Sequence, residues 1–153
     1  MNLTAYLKSN KAEFEFVEKA TTHHASEASR ASGIPLEQIA KTIVFADDGG
    51  RLIVGVVLGA NMVSRHKLET CSGRRKLEVA ADSVAEKATG FPTGGIPPVG
   101  HHRPLPVYVD EQVTRLEHVW CGGGTRTRLV RLRVADVLRL SKAQVCDIAV
   151  EHP

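Results

Sequence analysis

Three features of this 153-residue chain predict an α+β fold with a mixed or largely antiparallel sheet. Two β-branched runs, Lys41–Ala46 and Arg51–Leu58, flank Asp47-Asp48-Gly49-Gly50, which has the composition of a hairpin turn. Both runs are apolar at successive positions, so both faces should be covered and the hairpin should sit centrally in its sheet. Helical and extended segments then follow one another without the regular βαβ order of a doubly wound parallel sheet.

Read in order, Asn2–Lys11 is a short helix with Leu3 and Leu7 four apart and Asn2 as its N-cap. Phe14, Phe16 and Val17 suggest a strand. Ser26–Ser32 is helical and stops at Gly33 and Pro35, and Leu36–Ile39 has room for one more turn. After the hairpin, Ser64–Cys71 reads as a helix begun by a capping serine, Lys76–Ala80 as a strand, and Asp82 as the cap of a helix ending at Gly90. Glu86 lies four residues after Asp82, one place too late for a capping box. Phe91–His102 is too rich in Gly and Pro for regular structure. Leu105–Asp110, Leu116–Cys121 and Thr125–Leu132 are strands, the last two joined by a sharp Gly122-Gly123-Gly124 turn. Val134–Leu140 is a helix with Val134, Val137 and Leu138 on one face, and Cys146–Val150 is a final strand.

No repeat or linker divides residues 1–153, so the expectation is one domain. A chain of this length buries roughly 70% of the surface its unfolded form exposes. No apolar run approaches the roughly 18 to 20 residues that span a bilayer, and Met1–Ala20 lacks the apolar stretch of a signal peptide. Cytoplasmic location is the resulting expectation. Cys71, Cys121 and Cys146 are odd in number with no C-x-x-C, which predicts reduced thiols and neither a zinc ribbon nor a disulfide framework. The net charge of +3 is mild, compatible with an RNA partner without requiring one.

Lys41 opens a buried strand and shares a face with Ile43 and Phe45. It either snorkels to solvent from the strand end or stands as a cation at a pocket, holding a phosphate or an ester carbonyl. Gly90–Gly100, with Gly94-Gly95-Ile96-Pro97-Pro98 at its centre, matches neither nucleotide-binding glycine motif. It is a stiff crossover or a loop presenting fixed backbone groups to a substrate. Gly122–Thr125 is a hairpin turn or an anion-binding nest. Arg126 and Arg128 share one strand parity and Arg131 and Arg133 the other, which suggests a bulge or strand end near Val130. These arginines form a solvated edge or a track for RNA phosphates. The histidines His23, His24, His66, His101, His102, His118 and His152 show no H-x-H or H-x-x-x-H spacing, so no metal is expected. A Cys121 pair with His101 or His24 would need spatial adjacency.

Taken together, Gln38–Phe45, Ala88–Phe91, Gly94–His101, Val107–Asp110, Trp120–Gly123 and Asp147–Ala149 resemble the YbaK/ProX family. These proteins are free-standing counterparts of the editing domain inserted in bacterial prolyl-tRNA synthetases. The resemblance covers nearly all of the chain from about His23. It implies a compact α+β domain with a curved, barrel-like mixed sheet wrapped by helices. It also implies hydrolysis of mischarged aminoacyl-tRNA, of Cys-tRNA or Ala-tRNA type on a proline-type acceptor, without metal or organic cofactor. Water, or the substrate's own hydroxyl or thiol, attacks the ester in such enzymes. The family's lysine falls on Lys41 and its glycine loop on Gly94 and Gly95, which become the expected catalytic positions. Thr42, Phe45, Pro97, Asp110, Gly122 and Gly123 are the expected substrate contacts, and Arg126 and Arg128 the expected RNA contacts. The implied partners are tRNA and a prolyl-tRNA synthetase, with neither DNA nor a membrane. Two departures stand out: Thr21–His24 lacks an aromatic residue found in some relatives, and Cys121 replaces a serine found in others. A non-catalytic tRNA-binding module and a hydrolase of small acyl or thioester metabolites are the competing readings.

Overall fold

The computed structural model describes residues 2–152. Helix α1 (Leu3–Ser9) begins where the Asn2 side-chain oxygen accepts the Ala5 N–H at 3.0 Å, and Leu3 and Leu7 are its buried face. Strand β1 (Phe14–Glu18), helix α2 (Ala25–Ser32) and a 3₁₀ turn (Leu36–Gln38) lead to the central hairpin, β2 (Ala40–Ala46) and β3 (Leu52–Leu58). Its turn is closed by Asp47, whose carboxylate accepts the N–H groups of Gly49 and Arg51, both at 2.9 Å. Next come β4 (Asn61–Val63), α3 (Arg65–Ser72), β5 (Glu78–Val79), α4 (Asp82–Thr89) and β6 (Val107–Asp110). Strands β7 (His118–Gly122) and β8 (Arg128–Arg133), helix α5 (Val134–Ser141), and strands β9 (Gln144–Cys146) and β10 (Ala149–Glu151) complete the chain.

The main sheet has the order β5-β2-β3-β6-β9, antiparallel from β5 to β3 and parallel from β3 to β9. A second, antiparallel sheet has the order β1-β8-β7, and β10 pairs with β4. The hairpin is apolar on both faces because both are covered. Ala40, Val44, Val54 and Val56 meet Val119, Val130 and Leu132 of the second sheet, together with α1, α4 and α5. Phe45, Ile53 and Val57 meet Leu68 of α3, Tyr108 and Ile148 on the other side.

Several local expectations are corrected. The barrel-like sheet is not closed: the two larger sheets are separate, with an isolated bridge between Ile39 and Trp120. No bulge occurs at Val130, since β8 pairs in continuous register with both neighbours. Leu129 and Val130 face opposite ways and both are buried, because Ala28 of α2 and Ile39 cover Leu129. Arg131 and Arg133 point outward to Glu15 and Glu13, at 3.6 and 4.0 Å. Asp82 is the first residue of α4 and its N-cap is Ala81. The final strand is two strands in two sheets. The break falls at Asp147-Ile148, where the fully buried Asp110 carboxylate accepts the N–H groups of Ile148 (2.9 Å) and Ala149 (3.1 Å). Cys71 and Cys146 are joined in a disulfide, with Cα atoms 6.6 Å apart. Their separation of 75 residues hides this proximity in the sequence. Cys121 is free and fully buried, and burial pushes its thiol up to about 12.

Two outcomes follow from these contacts. Asp110→Ala strands two buried amide donors and is expected to lower unfolding free energy by roughly 2–3 kcal/mol, measured by urea denaturation. Thiol titration of the unreduced native protein should find no reactive cysteine, whereas the unreduced, denatured protein should show Cys121 alone.

Candidate active site

A cavity of about 790 Å³ opens against the start of β2, lined there by Ile39, Ala40, Lys41, Thr42 and Ile43. The segment Thr22–Ser26, entering α2, forms one side. Thr93, Gly94 and Ile96 of the irregular loop form another, with Gly122 and Leu129 beside them. Asp82 and His152 also line it.

Lys41 is half-buried, and its Nζ lies 3.2 Å from His152 Nε2, within hydrogen-bond distance. Burial pushes the Lys41 pKa below that of an ordinary lysine, because desolvation disfavours the charged form. Lys41 therefore faces the cavity as a partly desolvated cation, where an anion or a carbonyl oxygen gains most from it. The hydroxyls of Thr42 and Thr93 are buried without a hydrogen-bond partner among the described residues, and both residues line this cavity.

The loop reaches the cavity through two glycines with different tasks. Gly94 has φ +91°, and a Cβ there would lie 3.1 Å from both Thr22 O and His23 Cα. Gly95 lies hard against the turn after β7: a Cβ would sit 2.6 Å from the carbonyl carbon and oxygen of Thr125. The Gly95 N–H donates to Pro92 O and its carbonyl accepts the Gly124 N–H at 2.8 Å. Gly95 is thus a brace, and Gly94 is the residue presented to the cavity.

The remaining expected site residues divide plainly. Thr42 and Gly122 line the cavity with Lys41 and Gly94. Phe45 packs in the core on the α3 side of the main sheet, and Asp110 is committed to backbone amides of Gln112, Ile148 and Ala149. The Pro97 carbonyl accepts the His101 ring N–H at 2.7 Å, and desolvation lowers the His101 pKa, partly offset by that bond. The Gly123 and Gly124 amides donate to Arg128 O and Gly95 O, so they are committed within the protein and do not form an open nest. Arg126 donates to Thr93 O at 2.7 Å, and Arg128 donates to Gly123 O while lying 3.9 Å over the Phe16 ring. Thr93, Ile96, His152 and the Thr22–Ser26 wall are additions to the expected contacts. Thr93 and Ile96 lie in the Gly90–Gly100 loop and Thr22–His24 in the segment set against relatives, whereas Ala25, Ser26 and His152 carry no motif.

A family model described as the aminoacyl-tRNA editing domain matches residues 19–140. The chain is 26% identical over 140 residues to an Enterococcus faecalis protein named as a Cys-tRNA(Pro)/Cys-tRNA(Cys) deacylase, EbsC, covering 92% of this chain and 85% of that one. It is 32% identical over 91 residues to a proline–tRNA ligase of Nitratidesulfovibrio vulgaris, covering 60% of this chain but 16% of the ligase. A solved structure described as a trans-editing enzyme for prolyl-tRNA synthetase superposes with TM-score 0.83 and 34% identity, covering 99% of this chain and 95% of that one. Among the described residues no helix is long and apolar enough to cross a membrane. The chain belongs to the aminoacyl-tRNA editing domain family.

Proposed function

We propose that this chain is a trans-editing deacylase that hydrolyses the ester of a mischarged aminoacyl-tRNA at the Lys41–Gly94 cavity. One observation carries the assignment to this cavity: a partly desolvated lysine and the backbone of a braced glycine loop line the same space. An aminoacyl ester is already activated, so positioning and charge stabilisation supply much of the acceleration. Lys41 would hold the terminal phosphate or the ester carbonyl, and the Gly94 backbone would orient the aminoacyl group. Thr42 and Thr93 border the same space, and a small side-chain shift would turn either buried, unpartnered hydroxyl toward the substrate.

A protein nucleophile is not needed. The buried Cys121 thiol, pushed up to about 12, is a poor candidate for one. Attack by water or by the substrate's own hydroxyl or thiol fits the site better. The names of the relatives support Cys-tRNA(Pro) as a substrate to test, with Ala-tRNA(Pro) as the alternative, and a prolyl-tRNA synthetase as the enzyme whose errors are corrected. Such a role would place the protein in the cytoplasm.

The test is single-turnover deacylation of a panel of mischarged tRNAs. Lys41→Ala is expected to lower the rate about 100-fold or more; tRNA binding without turnover in the wild type would contradict the reading. The pH dependence has a definite sign. A lysine works as a cation below its pKa, and that pKa is lowered here. The ratio of wild-type to Lys41→Ala rates should therefore be largest near neutrality. It should decline with rising pH earlier than an ordinary lysine would dictate.

A further inference from the structure

Thr93, next to Gly94, is gripped from both sides. Its N–H donates to Glu86 Oε2 at 2.8 Å, and its carbonyl accepts the Arg126 Nε–H at 2.7 Å. Glu86 and Arg126 are themselves 3.4 Å apart, so a carboxylate from α4 and a guanidinium from the segment before β8 close a ring around this residue. The Arg126 backbone reaches the neighbouring wall. Its carbonyl accepts the Thr22 N–H at 3.1 Å and the Lys19 ammonium at 2.6 Å, and Lys19 also donates to Thr22 Oγ1 at 2.6 Å. One residue thereby ties the Thr22–His24 wall to the Thr93-Gly94 wall, and Gly94 packs so close to the first that an added Cβ would lie 3.1 Å from Thr22 O and His23 Cα.

We propose that Glu86 and Arg126 are a positioning pair for the editing site, holding the Thr93-Gly94 backbone in place, and that Arg126 acts through the loop and not on RNA phosphate. The inference rests on the deacylase reading for its catalytic consequence, though not for its structural one. The Glu86 and Arg126 side chains are 37% and 34% exposed, so their mutual attraction contributes little. The constraint comes from the two charge-assisted hydrogen bonds to one residue's backbone, which are stronger and more directional than neutral ones. Arg126 commits its Nε–H and one Nη2–H inward, which fixes the plane of the guanidinium against the loop and leaves the other Nη donors available. The salt dependence of tRNA binding decides whether those reach a phosphate. Displacing a positioned group by about 1 Å costs on the order of 100-fold in rate.

The experiment compares wild type with Arg126→Ala, Arg126→Lys, Glu86→Ala and Glu86→Gln by three readouts: steady-state deacylation, salt dependence of tRNA binding, and amide hydrogen exchange. Both alanine variants should lower kcat about 10- to 100-fold with KM changed by no more than about threefold. Glu86→Gln, which keeps an acceptor for the Thr93 N–H, and Arg126→Lys, which keeps one donor, should each recover part of the loss. The slope of log Kd against log salt should be unchanged, since losing a phosphate contact lowers it by about one. Thr93 amide exchange should accelerate in both alanine variants, with the Val54 amide in β3 unchanged as the reference.

A rise in KM alone with a slope lowered by about one would overturn the inference and return Arg126 to the RNA. Unchanged Thr93 exchange would overturn it as well. A wild type without turnover on any mischarged tRNA would sink the deacylase reading, while the exchange data would still decide the clamp.

Discussion

Two backbones approach each other at Gly95 and Gly122 more closely than any pair of side-chain-bearing residues could. A Cβ on Gly95 would stand 2.6 Å from Thr125 backbone atoms, and one on Gly122 would stand 2.7 Å from the Gly95 carbonyl carbon and Ile96 O. The hydrogen bond from Gly124 N–H to Gly95 O, 2.8 Å, spans the same contact. This contact fastens the irregular loop to the second sheet. The cavity wall formed by Thr93, Gly94 and Ile96 stands where it does because the loop can come no further and swing no wider.

The main sheet supplies the other half of the site. Covering both faces of the β2–β3 hairpin leaves little open surface along it, and the accessible polar position is at the strand start, where Lys41 sits. The burial that stabilises the hairpin also partly desolvates Lys41 and lowers its pKa. A cation so placed has little to interact with beyond His152, and it gains from any anion or polarised carbonyl entering the cavity. Stability and site electrostatics thus have one cause.

Much of this could be read from residue patterns. The hairpin, the Ser64 cap of α3, the αL glycines that end α2 and α4, and the irregular Gly/Pro loop follow from local chemistry, and the expectation at Lys41 and Gly94 follows from their place in a family-like order. What failed did so for tertiary reasons. Phe45 shares a strand parity with Lys41, but four residues at about 3.3 Å each carry it some 13 Å along β2, into the core beside Ile53 and Leu68. Asp110 resembles a pocket carboxylate at a strand end, yet it is spent on the amides that separate β9 from β10. The Cys71–Cys146 pairing and the contact of His152 with Lys41 join distant segments that no local pattern connects. Glu86 left a faint trace: five residues after the Ala81 N-cap, it is beyond capping-box reach and holds the loop instead.

The dependence of the candidate site on the glycine contact is tested most directly by Gly95→Ala, with crystallography and single-turnover deacylation carried out on the same protein. The main sheet should be retained, the Thr93–Ile96 segment should move away from Thr125, and the rate should fall about 10-fold or more. An unshifted loop with wild-type turnover would show that the wall of the cavity does not depend on that approach.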